Sequence, residues 1–329
     1  RPNGIMSGAC DTSVVTVAQL CNVLGLPGHS IEAAINSTDK LKMLQAFSEN
    51  NVNHPKFQVI SREEINTAEI SVGFPAVSKP VDSSGSRGIS FIENEKTVIA
   101  ALLNSADSSQ SGNVLVEEYM EGPEVSVETL SVNGVCHVIQ ITDKLTTDAP
   151  YFVEMGHSQP SGHTEEIKKQ IAKVAIAANH AIGISNGPSH TEIKITKDGP
   201  KVVELGARLG GDNITTYLTP LSTGVDMVES CIRIALGETA DLEPKFHKAS
   251  AIRYFRVEQG FIKDIRGLEE ARKIPGVKQI YVVHGIGEKM NGIKSSGDRS
   301  GFVIAQADTA EEAVEICEKA LDLIEIEME

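Results

Sequence analysis

The sequence predicts an α+β protein, because strands joined by tight turns alternate with amphipathic helices. The clearest helix covers residues 164–182, where apolar side chains share one face and Gly183 follows as a stop. Predicted strands at 124–132 and 135–142 flank Asn133-Gly134, a dipeptide typical of two-residue β-hairpins. A long helix and an antiparallel hairpin in one chain favour the mixed class.

Three segments are expected along the chain. Residues 1–35 contain little more than one helix, at 11–24, and are expected to be the C-terminal part of an α/β domain whose first half is absent. Residues 36–244 form the main domain, which includes a small α+β unit at about 73–135. Residues 245–329 form a C-terminal α+β domain.

Other helices and strands follow from apolar periodicity and capping signals. Ser37 or Thr38 can cap a helix that begins near Lys40, and Thr309 with Glu312 has the spacing of a capping box. Further helices are predicted at 95–105, 223–236, 267–274 and 309–325. Further strands are predicted at 76–80, 89–91, 114–118, 189–196, 201–206, 249–257, 277–283 and 301–306.

The composition excludes several classes of partner. A net charge of −15, from 45 acidic and 30 basic residues, argues against nucleic acid, since no clustered basic run is present. No apolar run approaches the roughly 20 residues of a membrane helix, and the N-terminus lacks a signal-peptide core. These observations predict a cytoplasmic protein without a membrane partner. A small anion such as ATP can still bind, through local lysines and backbone amides.

The cysteines indicate neither a zinc site nor a disulfide framework. The five residues are widely separated, and no Cys-x-x-Cys pair occurs among them. We expect buried, reduced thiols at Cys10, Cys21, Cys136, Cys231 and Cys317.

Lys79 ends a predicted strand, and a loop rich in serine and glycine follows at 82–88. An ammonium group there can contact phosphate oxygens, and N–H groups of the loop can surround the terminal phosphates. The candidates for phosphate contacts in the loop are Ser84, Gly85 and Ser86. The pattern is not a P-loop, because no Gly-Lys-Ser/Thr precedes a helix. A hairpin loop with an incidental lysine explains this segment alone equally well.

A second candidate segment covers residues 114–124 and contains a Gly-Pro turn. A strand that leaves its sheet at such a turn exposes a backbone edge that can bind an adenine, and Glu124 can accept hydrogen bonds from ribose hydroxyls. An edge strand blunted by acidic residues is the simpler interpretation when this segment stands alone.

The third segment contains two strands joined by Lys197-Asp198-Gly199-Pro200. Pairing across this turn can bring Glu192 and Glu204 together on one face of the sheet. Two adjacent carboxylates repel unless a cation bridges them, and hard oxygen ligands suit Mg²⁺ held with nucleotide phosphates. Arg208 can then clamp phosphoryl or carboxylate oxygens, and Gly210-Gly211 leaves space for a substrate. A solvated acidic hairpin is the alternative.

The order and spacing of these three segments together resemble the ATP-grasp superfamily over about residues 36–329. The resemblance implies an ATP-grasp fold, in which two α+β subdomains clasp ATP, with 36–244 as the ATP-grasp domain and 73–135 as its lid subdomain. It also implies that Glu192 and Glu204 bind magnesium. The residues implied to contact ATP are Lys40 and Lys79 at the phosphates, Glu117, Glu118, Tyr119 and Met120 at the adenine, and Glu124 at the ribose.

One position departs from the pattern of biotin carboxylase and carbamoyl-phosphate synthetase. Those families have asparagine two residues after the second magnesium carboxylate, whereas this chain has Gly206 in the run Glu204-Leu205-Gly206-Ala207-Arg208. The missing side chain leaves a third protein contact to the metals in doubt. The run is similar to that of L-amino-acid ligases of the bacilysin-synthetase kind, which implies an amino-acid-like carboxylate substrate.

The segment 152–161 contains His157 in a predicted loop that borders the substrate. A histidine there can hydrogen-bond a developing phosphoryl or oxyanion charge, or take the proton from an attacking amine. L-amino-acid ligases have a similar Gly-His loop. Glu154 can meet a substrate ammonium. A loop histidine with a structural hydrogen bond is the alternative for His157. Arg299 is interpreted as an ordinary turn arginine, with a side chain that points back toward the substrate as the alternative.

The resemblance implies a ligase that uses ATP and Mg²⁺ to join a small-molecule carboxylate to an amine. Arg208 would steady the acylphosphate, His157 would assist the amine, and the enzyme would be a homodimer. Two alternatives stay open. One is a carbamoyl-phosphate-synthetase-like or purine-biosynthesis enzyme, and the other is a non-catalytic ATP-binding module.

Overall fold

The computed structural model describes residues 1–83, 87–147 and 152–329, which pack into two compact units. Unit 1 contains Arg1–Val138, Glu165–Leu209 and Glu229–Ala240. Unit 2 contains Ile139–Thr164, Gly210–Val228 and Asp241–Glu329. Of the described helices, none is long and apolar enough to span a membrane.

The helices combine long amphipathic elements with short turns. They are α1 Val14–Leu24, α2 Ile31–Asn36, α3 Lys40–Glu49, α4 Val98–Asp107, α5 Glu165–Ile182, α6 Thr219–Thr223, α7 Met227–Leu236, α8 Leu268–Ala271 and α9 Ala310–Asp322. Short 3-10 turns lie at Asp11–Ser13, Arg62–Thr67, Glu95–Thr97 and Ser296–Asp298, and a π-helical turn covers Ile214–Leu218.

The strands pair antiparallel wherever their register is defined in the described chain. They are β1 Phe57–Ile60, β2 Ala76–Pro80, β3 Ser90–Ile92, β4 Val114–Glu118, β5 Glu124–Val132, β6 Val135–Thr146, β7 Glu154–Gln159, β8 Gly187–Thr196, β9 Gly199–Gly206, β10 Ala249–Tyr254, β11 Gln259–Arg266, β12 Val277–Val282, β13 Lys289–Asn291, β14 Gly301–Ala307 and β15 Glu325–Met328.

Unit 1 contains a small sheet in the order β1-β4-β2-β3. Its apolar face packs under α4, whose Leu102 is fully buried together with Ile92 and Val114. The predicted α+β unit at 73–135 differs from this sheet, because β1 joins it and β5 instead pairs with β8. The sheet places Lys79 and Glu117 on neighbouring strands, β2 and β4.

The rest of unit 1 is built on β5-β8-β9, covered by α5. The helix buries Ile171, Ala175, Ala178 and Ile182, as its apolar stripe predicts, and ends at Gly183 with φ of 90°. The β8–β9 pairing holds Glu192 directly opposite Glu204, with a bulge immediately after Glu192. This register confirms the predicted juxtaposition of the two carboxylates.

Unit 2 is built on strands in the order β12-β14-β10-β7-β6. Helix α9 covers β10 and β14, where Ala313, Cys317 and Ala320 pack against small strand residues. A separate small sheet has the order β13-β11-β15. His157 and Glu154 lie on strand β7, which belongs to the first of these sheets, with β10 and β6 as its neighbours.

Several local predictions are confirmed by the backbone. Asn133 and Gly134 have φ of 50° and 82°, the left-handed values that a type I′ hairpin turn requires. The capping box of Thr309 and Glu312 is formed at the start of α9. The cap predicted for α3 is wrong: Asp39, which accepts from two backbone N–H groups, takes the position assigned to Ser37 or Thr38.

The predicted loop at 152–161 is largely strand β7, with His157 only 2% exposed. Its alternating apolar positions are interrupted by Gly156 and His157, so it lacks the usual β-strand composition. The sequence also missed α2, β1, β11, β13 and β15. Except for the eight-residue β11, these elements are short, and the strands among them pair with segments far away along the chain.

Candidate active site

Lys79 forms a buried ion pair with Glu117 on the small sheet of unit 1. The ammonium lies 2.8 Å from Glu117 Oε2, and the two residues are only 5% and 4% exposed. Glu117 Oε1 is buried and has no hydrogen-bond partner among the described residues. The pair therefore keeps one oxygen that can accept a hydrogen bond from a ligand.

The segment predicted to line an adenine is partly engaged already. The N–H of Tyr119 donates to Pro75 O at 3.1 Å, so this group of the predicted adenine-binding edge already has a partner. Its ring meets Phe91 edge to face at 5.0 Å between centroids. Glu118 accepts from Lys201 at 2.6 Å, and Met120 is almost buried. Met120 and the carbonyls of this segment therefore remain the predicted contacts for an adenine.

Lys40, at the start of α3, points into the acidic part of unit 1. Its ammonium donates to Glu204 Oε1 and to Ser83 O, both at 2.9 Å. Burial alone would lower the pKa of Lys40, but the nearby carboxylates of Glu204, Glu117 and Asp11 raise it. Lys40 is therefore a firmly charged cation beside one of the two candidate magnesium ligands.

A buried histidine supports the other candidate ligand. His190 Nδ1 lies 2.5 Å from Glu128 Oε1, and its Nε2 lies 3.5 Å from Glu192 Oε1. Burial opposes the charge, but the charge of Glu128 and the two carboxylate contacts outweigh it and raise the pKa of His190 to about 9. The sequence analysis did not nominate His190, so this link was missed.

The donor chemistry of Glu192 and Glu204 fits magnesium held with phosphates. Their side chains are 27% and 34% exposed, so each carboxylate keeps access to solvent. Mg²⁺ is commonly bound by one or two carboxylates together with substrate phosphates and water. No group of three or more acidic, histidine or cysteine side chains suited to a metal occurs in the described ranges. The pair therefore fits a metal that arrives with a nucleotide.

Arg208 follows β9 and is held by Asp11, which precedes α1. Its Nε donates to Asp11 Oδ1 at 2.8 Å, its Nη2 to Oδ2 at 3.4 Å, and its Nη1 to Leu209 O at 3.2 Å. Burial would lower the pKa of Arg208, but Asp11, Glu192 and Glu204 raise it. Arg208 therefore lies in the same electrostatic neighbourhood as both candidate magnesium ligands.

Unit 2 contains its own polar cluster around Asp212. His157 Nε2 lies 3.1 Å from Asp212 Oδ2, and Arg299 donates to both Asp212 oxygens at 2.6 and 2.7 Å. The Arg299 guanidinium also lies 3.9 Å from the ring centre of Tyr254. Arg299 is 9% exposed, so the expectation of an ordinary turn arginine is wrong. Burial would raise the pKa of Asp212, but its bonds to His157 and Arg299 hold it well below its usual range.

The remaining predicted substrate and nucleotide residues have these positions. Glu154, in unit 2, lies 3.5 Å from Lys144, and its carbonyl accepts from Arg299. Glu124, in unit 1, lies 3.5 Å from Lys194. The carbonyls of Gly210 and Gly211 accept from Thr215 and Ile214 in the π-helical turn. The phosphate-loop candidates Ser84, Gly85 and Ser86 lie outside the described residues.

Sequence reasoning missed Asp11, His190 and Asp212, although each contacts a predicted site residue, and it missed Glu128, which contacts His190. Asp212 follows Gly210-Gly211 directly, and this neighbourhood was the only available signal for it. Asp11 had none, because 197 positions separate it from Arg208.

Comparison with known proteins identifies two domains in the chain. A model of the ATP-grasp domain matches residues 72–216, and one of the L-amino acid ligase C-terminal domain 2 matches residues 253–329. The alanine–anticapsin ligase of Bacillus subtilis is 30% identical over 254 residues, covering 70% of this chain and 53% of that protein. This chain thus spans about half the length of that relative.

Two solved structures share the fold. The L-amino acid ligase of Bacillus licheniformis superposes with a TM-score of 0.87 at 26% identity, over 99% of this chain and 81% of that one. The phosphoribosylglycinamide synthetase of Anaerococcus prevotii gives 0.77 at 21% identity, over 99% and 83% of the two chains. The second similarity concerns the fold alone.

The chain contains a domain of the ATP-grasp superfamily and has the α+β ATP-grasp fold. Within that superfamily, its C-terminal segment is that of the L-amino acid ligases. The fold class and the family resemblance predicted from the sequence are both confirmed.

Proposed function

We propose that this protein uses ATP and Mg²⁺ to activate a carboxylate as an acylphosphate and then joins it to an amine, with an amino acid as the acid. The observation that carries the proposal is the cluster in unit 1, where Glu192 lies opposite Glu204 and Lys40 and Arg208 flank the pair. Such a set of charges suits a triphosphate with its metal and a second anion beside it.

The cations would hold the reacting anions. Lys40 and Lys79 are buried ammonium groups that contact Glu204 and Glu117. Each ammonium can give up its carboxylate contact and bind phosphate oxygens instead. Glu192 and Glu204 would hold magnesium, which supplies charge neutralisation on the phosphates when bound. Met120 and neighbouring carbonyls would line the adenine, and Glu124 would bind the ribose.

The chemistry would have two steps. A carboxylate is a poor electrophile, so one of its oxygens first attacks the γ-phosphorus, and ADP leaves. The amine nitrogen then attacks the carbonyl carbon, phosphate leaves, and the amine loses a proton. Arg208 would stabilise the negative oxygens in both steps, because a guanidinium binds two oxygens at once.

The two residues of unit 2 that the sequence nominated would act on the amine. A carboxylate can only accept, so Nε2 of a neutral His157 would donate to Asp212 and Nδ1 would carry the lone pair. This nitrogen is buried and has no partner among the described residues. A nitrogen with a lone pair can accept a proton from an amine but cannot donate a hydrogen bond to a phosphoryl oxygen. This favours His157 as the group that takes the proton from the attacking amine. Glu154 would meet the substrate ammonium.

The test is an ADP-release screen of the purified protein with MgATP and pairs of L-amino acids. We expect ADP to form only with a productive pair and to be matched by a new amide detected by mass spectrometry. Arg208→Ala and Glu204→Gln should abolish this release while the circular dichroism spectrum is kept. The matched control Arg233→Ala removes an exposed arginine paired with Glu229 and should leave the rate unchanged.

Two results would contradict the proposal. Binding of MgATP without ADP formation over the whole panel would favour a non-catalytic ATP-binding module. Full turnover in both Arg208→Ala and Glu204→Gln would remove the assigned site even if the protein is a ligase.

A further inference from the structure

We propose that Asp11 is a positioning residue that orients Arg208, and that glycine at 206 provides the space in which this ion pair forms. The proposal rests on the proposed function for its catalytic meaning, but its structural content can be measured without any substrate. It assigns a role to the segment before α1, which no sequence motif nominated.

The first support is how the guanidinium is shared. Asp11 and Leu209 O together use three of the five N–H groups that an arginine side chain carries. Among the described residues, the partners of Arg208 leave one N–H on Nη1 and one on Nη2. These two groups can bind two oxygens of an acylphosphate or carboxylate. Asp11 therefore fixes the guanidinium without occupying all of it.

The second support is the crowding around Gly206. A Cβ at this position would lie 3.1 Å from Arg208 Nε, 3.1 Å from Asp11 Oδ1 and 3.2 Å from Arg208 Cζ. All three atoms belong to the ion pair. Gly206 is not among the residues with left-handed φ, so the backbone itself does not demand glycine here. The side chain is missing because the ion pair occupies its space.

This arrangement explains the departure of Gly206 from the asparagine pattern. An asparagine side chain at 206 would enter the volume held by the Asp11 carboxylate and the Arg208 guanidinium. The Asp11 oxygen lies within a contact distance of where that side chain would begin. The polar group beside β9 is thus the Asp11 carboxylate, which comes from the 3-10 turn before α1 and not from β9 itself.

The position of Asp11 suits a fixed support. It is the first residue of the 3-10 turn Asp11–Ser13, which continues directly into α1. Val14, Ala18 and Cys21 anchor that helix in the core of unit 1. The carboxylate is partly buried, at 28% side-chain exposure, beside an arginine side chain at 18%. A support of this kind reduces the rotamers that Arg208 would otherwise sample.

The opposite role is sequestration, in which Asp11 would occupy Arg208 and have to release it before the substrate binds. The two roles predict opposite changes in turnover when the Asp11 carboxylate is removed. Loss of a support lowers turnover, whereas loss of an inhibitory carboxylate raises it.

The structural test uses the NMR signal of the Arg208 Nε–Hε group, assigned by its loss in Arg208→Lys. In the native protein we expect a slowly exchanging proton, because Nε donates to Asp11. Asp11→Ala should shift this signal and make its exchange fast. Gly206→Ala should also move it, because the added methyl displaces the flexible ends of both side chains. Asp107→Asn, which removes a carboxylate from the exposed Arg62 pair, is the control and should change nothing.

The functional test follows ADP release with the productive pair found in the screen. Asp11→Asn should lower kcat roughly 10-fold, the size typical for groups that orient a ligand-binding side chain, and leave the KM for ATP within a factor of about two. Gly206→Asn combined with Asp11→Ala should be more active than Gly206→Asn alone, because the double change clears the crowded space. Melting temperatures of all variants report whether each one folds.

The proposal is overturned if the Arg208 signal is the same in Asp11→Ala as in the native protein. A rise in kcat in Asp11→Asn would show that Asp11 sequesters Arg208 and does not support it. If the losses of activity caused by Gly206→Asn and Asp11→Ala simply multiply in the double variant, the two positions do not compete for the same space. If no pair of substrates releases ADP, the ligase function fails while the NMR result still decides whether Asp11 holds Arg208.

Discussion

Arg299 donates hydrogen bonds to both carboxylate oxygens of Asp212, at 2.6 and 2.7 Å, and so fixes the carboxylate that contacts His157. Arg299 is itself fixed by donating to the carbonyls of Ser296 and Glu154. The result is a chain of three residues in which an arginine orients an acid and the acid orients an imidazole. This order is the one found where a histidine must present a single nitrogen to its substrate.

We therefore predict that Asp212→Asn lowers amine-dependent turnover roughly 10- to 100-fold, because an amide can reverse the tautomer of His157. Steady-state kinetics with the amine as the varied substrate would measure it. Arg299→Lys keeps the positive charge but loses the hydrogen bonds to both Asp212 oxygens, so its turnover should lie between those of the native protein and Asp212→Asn. Equal activity of Asp212→Asn and native protein would show that His157 does not depend on this carboxylate.

Lys79→Ala should destabilise the protein by about 3–5 kcal/mol, because it leaves Glu117 as an uncompensated buried charge. Urea unfolding followed by circular dichroism measures this change. Lys79→Met together with Glu117→Gln removes both charges and should recover much of the loss. A double variant as unstable as Lys79→Ala would show that the cost comes from packing.

The charged state of His190 predicts how stability depends on pH. Its pKa is raised from the ordinary 6.5 to about 9, so its contribution is fully present below about pH 6.5 and is lost as the pH rises through about 9. The free energy of unfolding, measured in urea without added magnesium, should fall across this window. His190→Gln should remove that part of the slope, and His180→Gln, on the exposed side of α5, is the control. An unchanged slope in His190→Gln would assign the dependence to other groups.

Removal of magnesium should reveal the repulsion between Glu192 and Glu204. ADP with Mg²⁺ should raise the melting temperature by several degrees more than ADP with EDTA, because binding to the native state stabilises it. Glu204→Gln should abolish most of this difference, since it removes one of the two carboxylates. Glu327→Gln, on the exposed end of β15, is the control. The same gain with EDTA as with magnesium would exclude these carboxylates as the metal site.

The parts of the fold that sequence predicted well are those with a local physical cause. The Asn133-Gly134 turn, the Thr309 capping box and the Gly183 helix stop each depend on residues within a few positions. The opposition of Glu192 and Glu204 was also within reach, because a short turn determines the register of β8 and β9.

The parts that could not be predicted depend on distant partners. Asp11 meets Arg208 across 197 positions, and Asp212 meets Arg299 across 87. No periodicity or spacing encodes such pairs in a single sequence. His157 shows the same limit, because only the pairing of β7 with β6 and β10 turned its predicted loop into a buried strand.

The division of the chain into two units has a consequence for how the protein can be cut. The chain passes between the units five times, at 138, 164, 209, 228 and 240. Two of these passages fall inside regular elements, within β6 and α7. No single cut separates the two units, because even a fragment that ends at 240 contains all of unit 1 together with two segments of unit 2. A single proteolytic cut at any of these positions should therefore release no fragment that consists of one unit alone.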